Sequence, residues 1–296
     1  MKYLQIGMVV WLMQFPALSA QDLSFFHLDK SDGLSDNTIT SVVSDTSGLI
    51  WVATLNGLNS YDGYTVRNFY VRDYPSLQSN IISRLVCDTK NRIWIQAVDG
   101  RLSVLDEKRQ FHAINLKEVS VDYLLPVSDM PMFLSSGRMY GLAHDGSLNF
   151  IPLVTSHEAL LKIKFERINP WDTDKLVFTG EGQLFLFDFR TLRVSASVRI
   201  PGVLAASRLS ADTAMVTTHD SQKLLKVNIR NGEIIKSYGT IKDQYGTLMD
   251  ANPGSIQSLN DRRFLIASPK SGVYTFDVDH ETLIRYSHDP LDDRSM

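Results

Sequence analysis

The sequence has little cysteine and no excess of charge of one sign, and each absence excludes a class of protein. Cys87 is the only cysteine among 296 residues, so no disulfide forms within the chain and packing must stabilise it. The 30 basic and 33 acidic residues leave a formal net charge of −3 and are spread along the chain. Nucleic-acid binding needs a basic patch or stripe. We therefore expect no nucleic-acid partner for this region, and we expect Cys87 to be a buried strand residue and not a nucleophile.

The sequence also lacks the motifs that carry catalysis and cofactor binding. No G-x-S-x-G elbow, P-loop, G-x-G-x-x-G or H-E-x-x-H occurs. No two of the seven histidines lie within five residues of each other, so no local metal pair can be drawn. The segment Asp29–Gly33 lacks the spacing of an EF-hand, and the segment Asp45–Gly48 lacks that of a sialidase Asp-box. Both segments predict turns. We predict no cofactor, no metal ion and no catalytic residue.

Long hydrophobic runs are absent after the first twenty residues. Lys2 precedes a mostly apolar stretch from Tyr3 to Phe15, and Pro16–Ala20 offers a cleavage site with small residues. This arrangement is typical of a secretory signal peptide. An uncleaved membrane anchor is the alternative, for which the apolar stretch is short. We predict that residues 1–20 are removed and that the remainder is exported.

An internal repeat is the strongest signal in the sequence. A constant shift of 43 residues superposes eight residues of the segment 34–62 on identical residues of the segment 77–106. The matched pairs are Leu34 and Leu77, Asn37 and Asn80, Ile39 and Ile82, Asp45 and Asp88, Thr46 and Thr89, Ile50 and Ile93, Trp51 and Trp94, and Gly57 and Gly100. Eight matches in one register, one of them between two tryptophans, indicate a repeat architecture.

Each unit predicts four short antiparallel strands. In the first unit the strands are Ile39–Val43, Leu49–Thr54, Leu58–Tyr61 and Thr65–Tyr70. Alternating apolar and polar residues favour strands with one buried face. Between the strands, Asp45–Gly48 and Asn56-Gly57 are turn sequences. Four strands in about 43 residues are typical of one β-propeller blade.

Later units keep the strand pattern with fewer of the repeated residues. Their third strands are predicted at Gly137–Tyr140, Gly182–Asp188, Lys223–Asn228 and Gly272–Asp277. The fold class is therefore all-β, a propeller of about six four-stranded blades, with units near 34–76, 77–119, 120–160, 161–202, 203–254 and 255–296. Either a strand near Phe25–Leu28 completes the last blade, or the chain is cut from something longer and is an incomplete seven-bladed propeller. We favour the second alternative.

Twelve positions of the first unit follow the pattern of a known family. They are Asn37, Ile39, Asp45, Gly48, Ile50, Trp51, Thr54, Gly57, Leu58, Tyr61, Asp62 and Gly63. On these residues the unit resembles the two-component-regulator propeller repeat of the hybrid sensor histidine kinases of Bacteroidetes. The second unit departs from the pattern at Asn91, Ala97 and Val104–Asp106, and about 190 later residues agree only in period and strand pattern.

The resemblance implies a periplasmic sensor whose kinase and DNA-binding parts follow a membrane helix. Many members of that family sense oligosaccharides, so the resemblance implies an oligosaccharide ligand. It also implies a homodimer, as in sensor kinases, and membrane contact only through C-terminal parts missing here. The histidines of this chain have no phosphoacceptor context and no ATP-lid sequence follows them. The chain alone is therefore expected not to be an enzyme.

Trp171 is the one candidate ligand-binding residue. It lies in the segment Asn169–Asp174, which predicts a loop, whereas Trp51 and Trp94 occupy the repeated core position. A loop tryptophan stacks on a sugar ring or a partner chain, or it folds over the adjacent blade. Three hypotheses remain open: an extracytoplasmic sensor or ligand-recognition module, which we favour, a stand-alone propeller enzyme such as a glycosidase or lyase, and a partner-binding scaffold.

Overall fold

The structure is a computed structural model that describes residues 26–127, 131–136, 138–143, 148–153, 164–219, 224–249 and 253–287. The predicted signal peptide lies outside the described residues. In these ranges 24 strands form six four-stranded antiparallel sheets, arranged as a six-bladed β-propeller. The predicted fold class is confirmed. Two short 3₁₀ helices, Lys30–Asp32 and Pro75–Leu77, precede blades 1 and 2.

Each of the first three blades consists of four strands that are consecutive in the chain. Blade 1 contains β1 (Ile39–Ser44), β2 (Ile50–Thr54), β3 (Gly57–Tyr61) and β4 (Val66–Phe69). Blade 2 contains β5 (Ile82–Cys87), β6 (Ile93–Ala97), β7 (Leu102–Leu105) and β8 (Phe111–Ala113). Blade 3 contains β9 (Tyr123–Leu125), β10 (Met132–Ser135), β11 (Arg138–Leu142) and β12 (Phe150–Leu153).

The last three blades have longer strands in the same order. Blade 4 contains β13 (Arg167–Pro170), β14 (Lys175–Gly180), β15 (Gln183–Asp188) and β16 (Arg193–Arg199). Blade 5 contains β17 (Val203–Arg208), β18 (Thr213–Thr218), β19 (Leu224–Asn228) and β20 (Ile234–Ser237). Blade 6 contains β21 (Ser255–Ser258), β22 (Arg263–Ser268), β23 (Gly272–Asp277) and β24 (Thr282–Tyr286).

The first strand of each blade lies at the propeller axis. First strands of neighbouring blades contact each other, as β1 does β5 and β17 does β21. Side chains bond across these contacts: the Thr40 hydroxyl donates to the Ile82 carbonyl at 2.8 Å. The Asn169 amide likewise donates to the Ala206 carbonyl at 3.1 Å. Because strand order follows the chain in every sheet, the fourth strands lie at the rim.

Buried side chains fill the spaces between consecutive blades. Five core clusters join blades 1 and 2, 2 and 3, 3 and 4, 4 and 5, and 5 and 6. None of these clusters, over the described ranges, joins blade 6 to blade 1. Val42 of blade 1 accordingly keeps 55% of its surface exposed. Leu85 is the equivalent residue of blade 2; blade 1 covers it, and only 3% of its surface is exposed. Blade 1 therefore has one covered face and one partly open face.

Three local predictions need correction. Asn169 and Pro170 end strand β13 and are not loop residues; Pro170 is tolerated because β13 is an edge strand of its sheet. The alternative of a strand near Phe25–Leu28, which we did not favour, finds no support: Phe25 lies outside the described residues, residues 26–28 form no strand, and β24 is the fourth strand of blade 6. The strand spacing of Tyr61 predicts a core position, but the residue is only half-buried; its ring stacks on the exposed ring of Phe26, with centroids 6.5 Å apart.

Candidate functional site

The repeated aspartates and tryptophans bond to each other. Asp45 closes a five-residue turn by accepting the backbone N–H groups of Ser47 and Leu49, at 2.9 and 3.1 Å. Its second oxygen accepts the indole N–H of Trp51 at 3.1 Å, and Asp88 accepts that of Trp94 at 2.9 Å. Both carboxylates and both rings are buried. These four repeat positions are structural, because they hold the turn and the second strand together.

An arginine completes each of these pairs, but it comes from a different place in each blade. In blade 2, Arg92 follows Asp88 in the same turn and donates to it at 2.7 Å. In blade 1, Arg109 reaches across from the third turn of blade 2 and donates to Asp45 at 2.6 Å. Burial raises the pKa of Asp45, but the hydrogen bonds from Ser47, Trp51 and Arg109 outweigh it and hold the pKa well below its usual range. Arg109 thereby ties blade 2 to blade 1.

The repeated asparagines and glycines also have structural roles. The side-chain oxygens of Asn37 and Asn80 accept backbone N–H groups of the preceding loop, at 2.8 Å in both cases. Gly57 and Gly100 have positive φ values of 137° and 82°. A Cβ at Gly100 would lie 2.7 Å from the Cβ of Ser120, so the chain entering blade 3 leaves no room for a side chain.

A cleft of about 840 Å³ between blades 5 and 6 is the candidate ligand site. It lies at the end of the propeller where each first strand turns into the second. Backbone bonds close these turns, from Leu209 to Thr213 at 2.9 Å and from Leu259 to Arg263 at 2.8 Å. The lining residues are Trp171, Arg208, Leu209, Ser210, Thr213, Lys226, Ile235, Lys236, Tyr238, Ser258, Asp261, Arg262, Val278, Asp279 and Glu281.

The cleft wall is rich in charge of both signs. One ion pair crosses it, between Lys236 of blade 5 and Glu281 of blade 6, and a second joins Arg262 to Asp279 within blade 6 at 2.7 Å. The hydrogen bond to Glu281 raises the pKa of Lys236. Of the remaining charged groups, Lys226 and Asp261 pair with no other side chain that the structure describes. These two groups are therefore free to bind a polar ligand.

Trp171 lines this cleft but is largely enclosed. Only 5% of its surface is exposed, and it packs in the core between blades 4 and 5 with Val177 and Ile200. Its backbone N–H donates to the Lys175 carbonyl at 2.9 Å, which fixes the turn. The ring contributes one part of the cleft wall, and its role in ligand binding stays a prediction.

The cleft residues other than Trp171 were missed by sequence reasoning. Lys226 and Asp261 carry no motif, and they meet only because blades 5 and 6 are adjacent. The single available signal was position: Asp261 lies in the first turn of its unit, and first turns of all units gather at one end of a propeller.

In the part of the chain that the structure describes, no group of three or more His, Cys, Asp and Glu side chains lies close enough to hold a metal ion. No helix there has the length and apolarity for a membrane span. Cys87 lies on β5 and is half-buried, and burial raises the pKa of its thiol, so it is a poor nucleophile.

Comparison with known proteins agrees with the repeat and the fold. Residues 33–56 match the family model described as two component regulator propeller. No curated protein matches the chain. The extracellular domain of a protein described as a hybrid two-component system from B. thetaiotaomicron superposes with a TM-score of 0.59 at 17% identity, over 92% of this chain and 37% of that one. YCF48 from Cyanidioschyzon merolae gives 0.59 at 11% identity, over 87% and 86%.

At these identities the solved structures support the fold alone, and the chain spans only 37% of the first of them. The family match is made on sequence and not on the superposition, and it covers β1, the Asp45 turn and the tryptophan strand β2 of blade 1. The chain is therefore a six-bladed β-propeller that carries a two-component regulator propeller repeat at residues 33–56.

Proposed function

We propose that this chain is the ligand-recognition propeller of an extracytoplasmic sensor in a two-component system, and that its ligand is an oligosaccharide. The observation that carries the proposal is the match of residues 33–56 to the two-component regulator propeller. The predicted signal peptide supports a periplasmic location. A homodimer, as in sensor kinases, is the assembly that we expect for such a sensor.

The cleft between blades 5 and 6 suits a small polar ligand. Its volume of about 840 Å³ lies in the range of about 300–1,000 Å³ that ligand sites occupy. Ser210, Lys226 and Asp261 offer hydrogen-bond donors and acceptors of the kinds that sugar hydroxyls need. Ile235, 49% exposed, offers an apolar contact for a sugar face. Recognition by this cleft needs no catalytic group.

Enzyme and scaffold functions are the alternatives. A glycosidase needs one protonated carboxyl group facing an ionised one across the sugar. In this cleft the carboxylates of Glu281 and Asp279 are each bound in an ion pair with a cation of the cleft wall, so neither is free to act on a sugar. We therefore prefer a sensor to a hydrolase. A partner-binding scaffold predicts affinity for a protein and none for oligosaccharides.

Calorimetric titration with neutral and acidic oligosaccharides of two to six sugars tests the proposal. We expect at least one to bind, and Asp261→Asn to weaken that binding about tenfold because a carboxylate acceptor is lost. Glu107→Gln is the matched control, since Glu107 is also exposed but lies in a turn of blade 2. Absence of binding by the whole panel would reject the oligosaccharide, and equal weakening by both variants would reject the cleft.

A further inference from the structure

The six strands at the propeller axis carry charge of one sign only. The sequences of β1, β5, β9, β13, β17 and β21 contain three arginines and no aspartate, glutamate or lysine. The arginines are Arg84 of β5, Arg167 of β13 and Arg208 of β17. The rest of the chain has 27 basic and 33 acidic residues. The axis is therefore an unusually cationic part of the molecule.

Two of these arginines flank one tyrosine. Arg84 of blade 2 places its guanidinium carbon 3.8 Å from the ring centroid of Tyr123 on β9. Tyr123 packs against the core between blades 3 and 4. That core contains Ile168 of β13, the residue that follows Arg167, and the charge of Arg167 opposes the rise that burial causes in the pKa of Tyr123. Arg84, Tyr123 and Arg167 thus form one cluster across three adjacent blades.

Neither arginine of this cluster is neutralised. No carboxylate among the described residues forms an ion pair with Arg84 or Arg167. Arg167 bonds to the backbone carbonyl of Glu166 at 2.9 Å, and that contact leaves its positive charge in place. The acidic neighbour of Tyr123, Asp122, is bonded to the backbone N–H of Ser136 at 2.6 Å. Arg84 is only half-buried and Arg167 is exposed, so solvent ions reach both.

We propose that Arg84, Arg167 and Tyr123 form a binding site for an oxyanion, a carboxylate or sulfate group carried by a small ligand, at the axial opening of blades 2–4. Guanidinium groups present paired N–H donors that match the oxygens of such groups. Tyr123 fixes Arg84 by a cation–π contact, which holds the donors in place before the ligand arrives.

This site is separate from the cleft between blades 5 and 6. Tyr123 and Arg167 are the first residues of their strands, whereas Arg208, which lines the cleft, is the last residue of β17. Since every blade repeats the same strand order, first and last residues of first strands lie at opposite openings of the propeller. Oxyanion binding here therefore does not depend on oligosaccharide binding in the cleft.

Calorimetry with three small probes tests the site: sodium D-glucuronate, sodium sulfate, and D-glucose as the neutral match of glucuronate. We expect glucuronate, sulfate or both to bind, and Arg84→Gln and Arg167→Gln each to weaken binding about tenfold or more, as loss of a charge-assisted contact does. Arg84→Lys keeps the charge and is expected to keep part of the affinity. Arg193→Gln is the control, because Arg193 is exposed on the rim strand β16.

Each outcome bears on the proposal. Glucuronate binding alone identifies a carboxylate site, sulfate binding alone a sulfate site, and binding of both a general oxyanion site. Failure of both anions, equal affinity for glucose, or equal weakening by Arg193→Gln would overturn it. Because Arg167 is exposed, Arg167→Gln keeps the test valid if Arg84→Gln does not fold. A failed oligosaccharide panel with intact anion binding would reject only the proposed sensing of oligosaccharides.

Discussion

The indole nitrogen of Trp94 donates a hydrogen bond to a carboxylate oxygen of Asp88 at 2.9 Å. The two residues are six positions apart, and the same bond joins Trp51 to Asp45 at the same spacing. The repeat therefore preserves a bonded pair, not two independent residues. The aspartate is needed for the turn, and the tryptophan gives its buried second oxygen a donor.

Removing this donor should destabilise the propeller. We expect Trp94→Phe to lower the free energy of unfolding by about 2–4 kcal/mol, because it shrinks a fully buried side chain and removes a hydrogen bond to a buried charge. Urea unfolding followed by circular dichroism measures the change. Trp171→Phe is the matched control, since its indole has no hydrogen-bond partner among the described residues. Equal losses in the two variants would contradict the role of the Asp88 bond.

Stability at acid pH should depend on Asp45. Its hydrogen bonds hold its folded pKa below the ordinary value of 3.8, so its contribution is complete above that value and is lost as pH falls toward the folded pKa. We expect the wild-type free energy of unfolding to fall more steeply between about pH 4 and pH 2 than that of Asp45→Asn. Asp261→Asn, at an exposed site, should keep the wild-type slope. Parallel curves for wild type and Asp45→Asn would be inconsistent with this assignment.

Gly100 should tolerate no side chain. Gly100→Ala combines a positive φ of 82° with a Cβ contact of 2.7 Å to Ser120. Gly48 has a similar φ of 85° but nothing within 4 Å, so Gly48→Ala measures the backbone strain alone. We expect Gly48→Ala to cost about 1–2 kcal/mol and Gly100→Ala about 1–3 kcal/mol more, by thermal or urea unfolding. If the costs are the same, the chain near Ser120 moves freely and our description of the crowding is wrong.

Gln244 protects the rim of blade 6. Its side-chain amide accepts the N–H of Arg285 and donates to the carbonyl of the same residue, both at 2.7 Å, and so occupies the outer edge of β24. We expect Gln244→Ala to cost about 1–2 kcal/mol and to promote self-association, because unpaired strand edges pair with other chains. Light scattering detects the association. Gln257→Ala, at an exposed residue on the axial strand β21, should leave the molecular mass unchanged; association in both variants would argue against edge protection.

The fold could be predicted because it depends on local sequence. The Asp45 turn, the Trp51 strand and the Gly57 hairpin each contain the residue type that their geometry requires. The later blades keep only alternation, as in β23, and this still located their third strands. The prediction of a loop was wrong at Pro170, because its position on an edge strand depends on the order of strands in the sheet.

The sites could not be predicted because their residues are distant in sequence. Arg84 and Tyr123 meet across two blades, and neither belongs to a motif. Lys226 and Asp261 line one cleft only because blades 5 and 6 pack together. Trp171 was singled out by its position outside the repeat, but its 5% exposure depends on the packing of blade 5 against blade 4.

Methyl NMR of isoleucine-labelled protein tests the central claim, that this propeller recognises an oligosaccharide in the cleft. Ile235 lies in the cleft and is 49% exposed, whereas Ile39, 46% exposed, lies on blade 1. We expect one oligosaccharide of the panel to shift the Ile235 methyl resonance in a saturable way and to leave Ile39 unchanged. If no oligosaccharide shifts Ile235, or if binding shifts only Ile39, the proposed recognition site is contradicted.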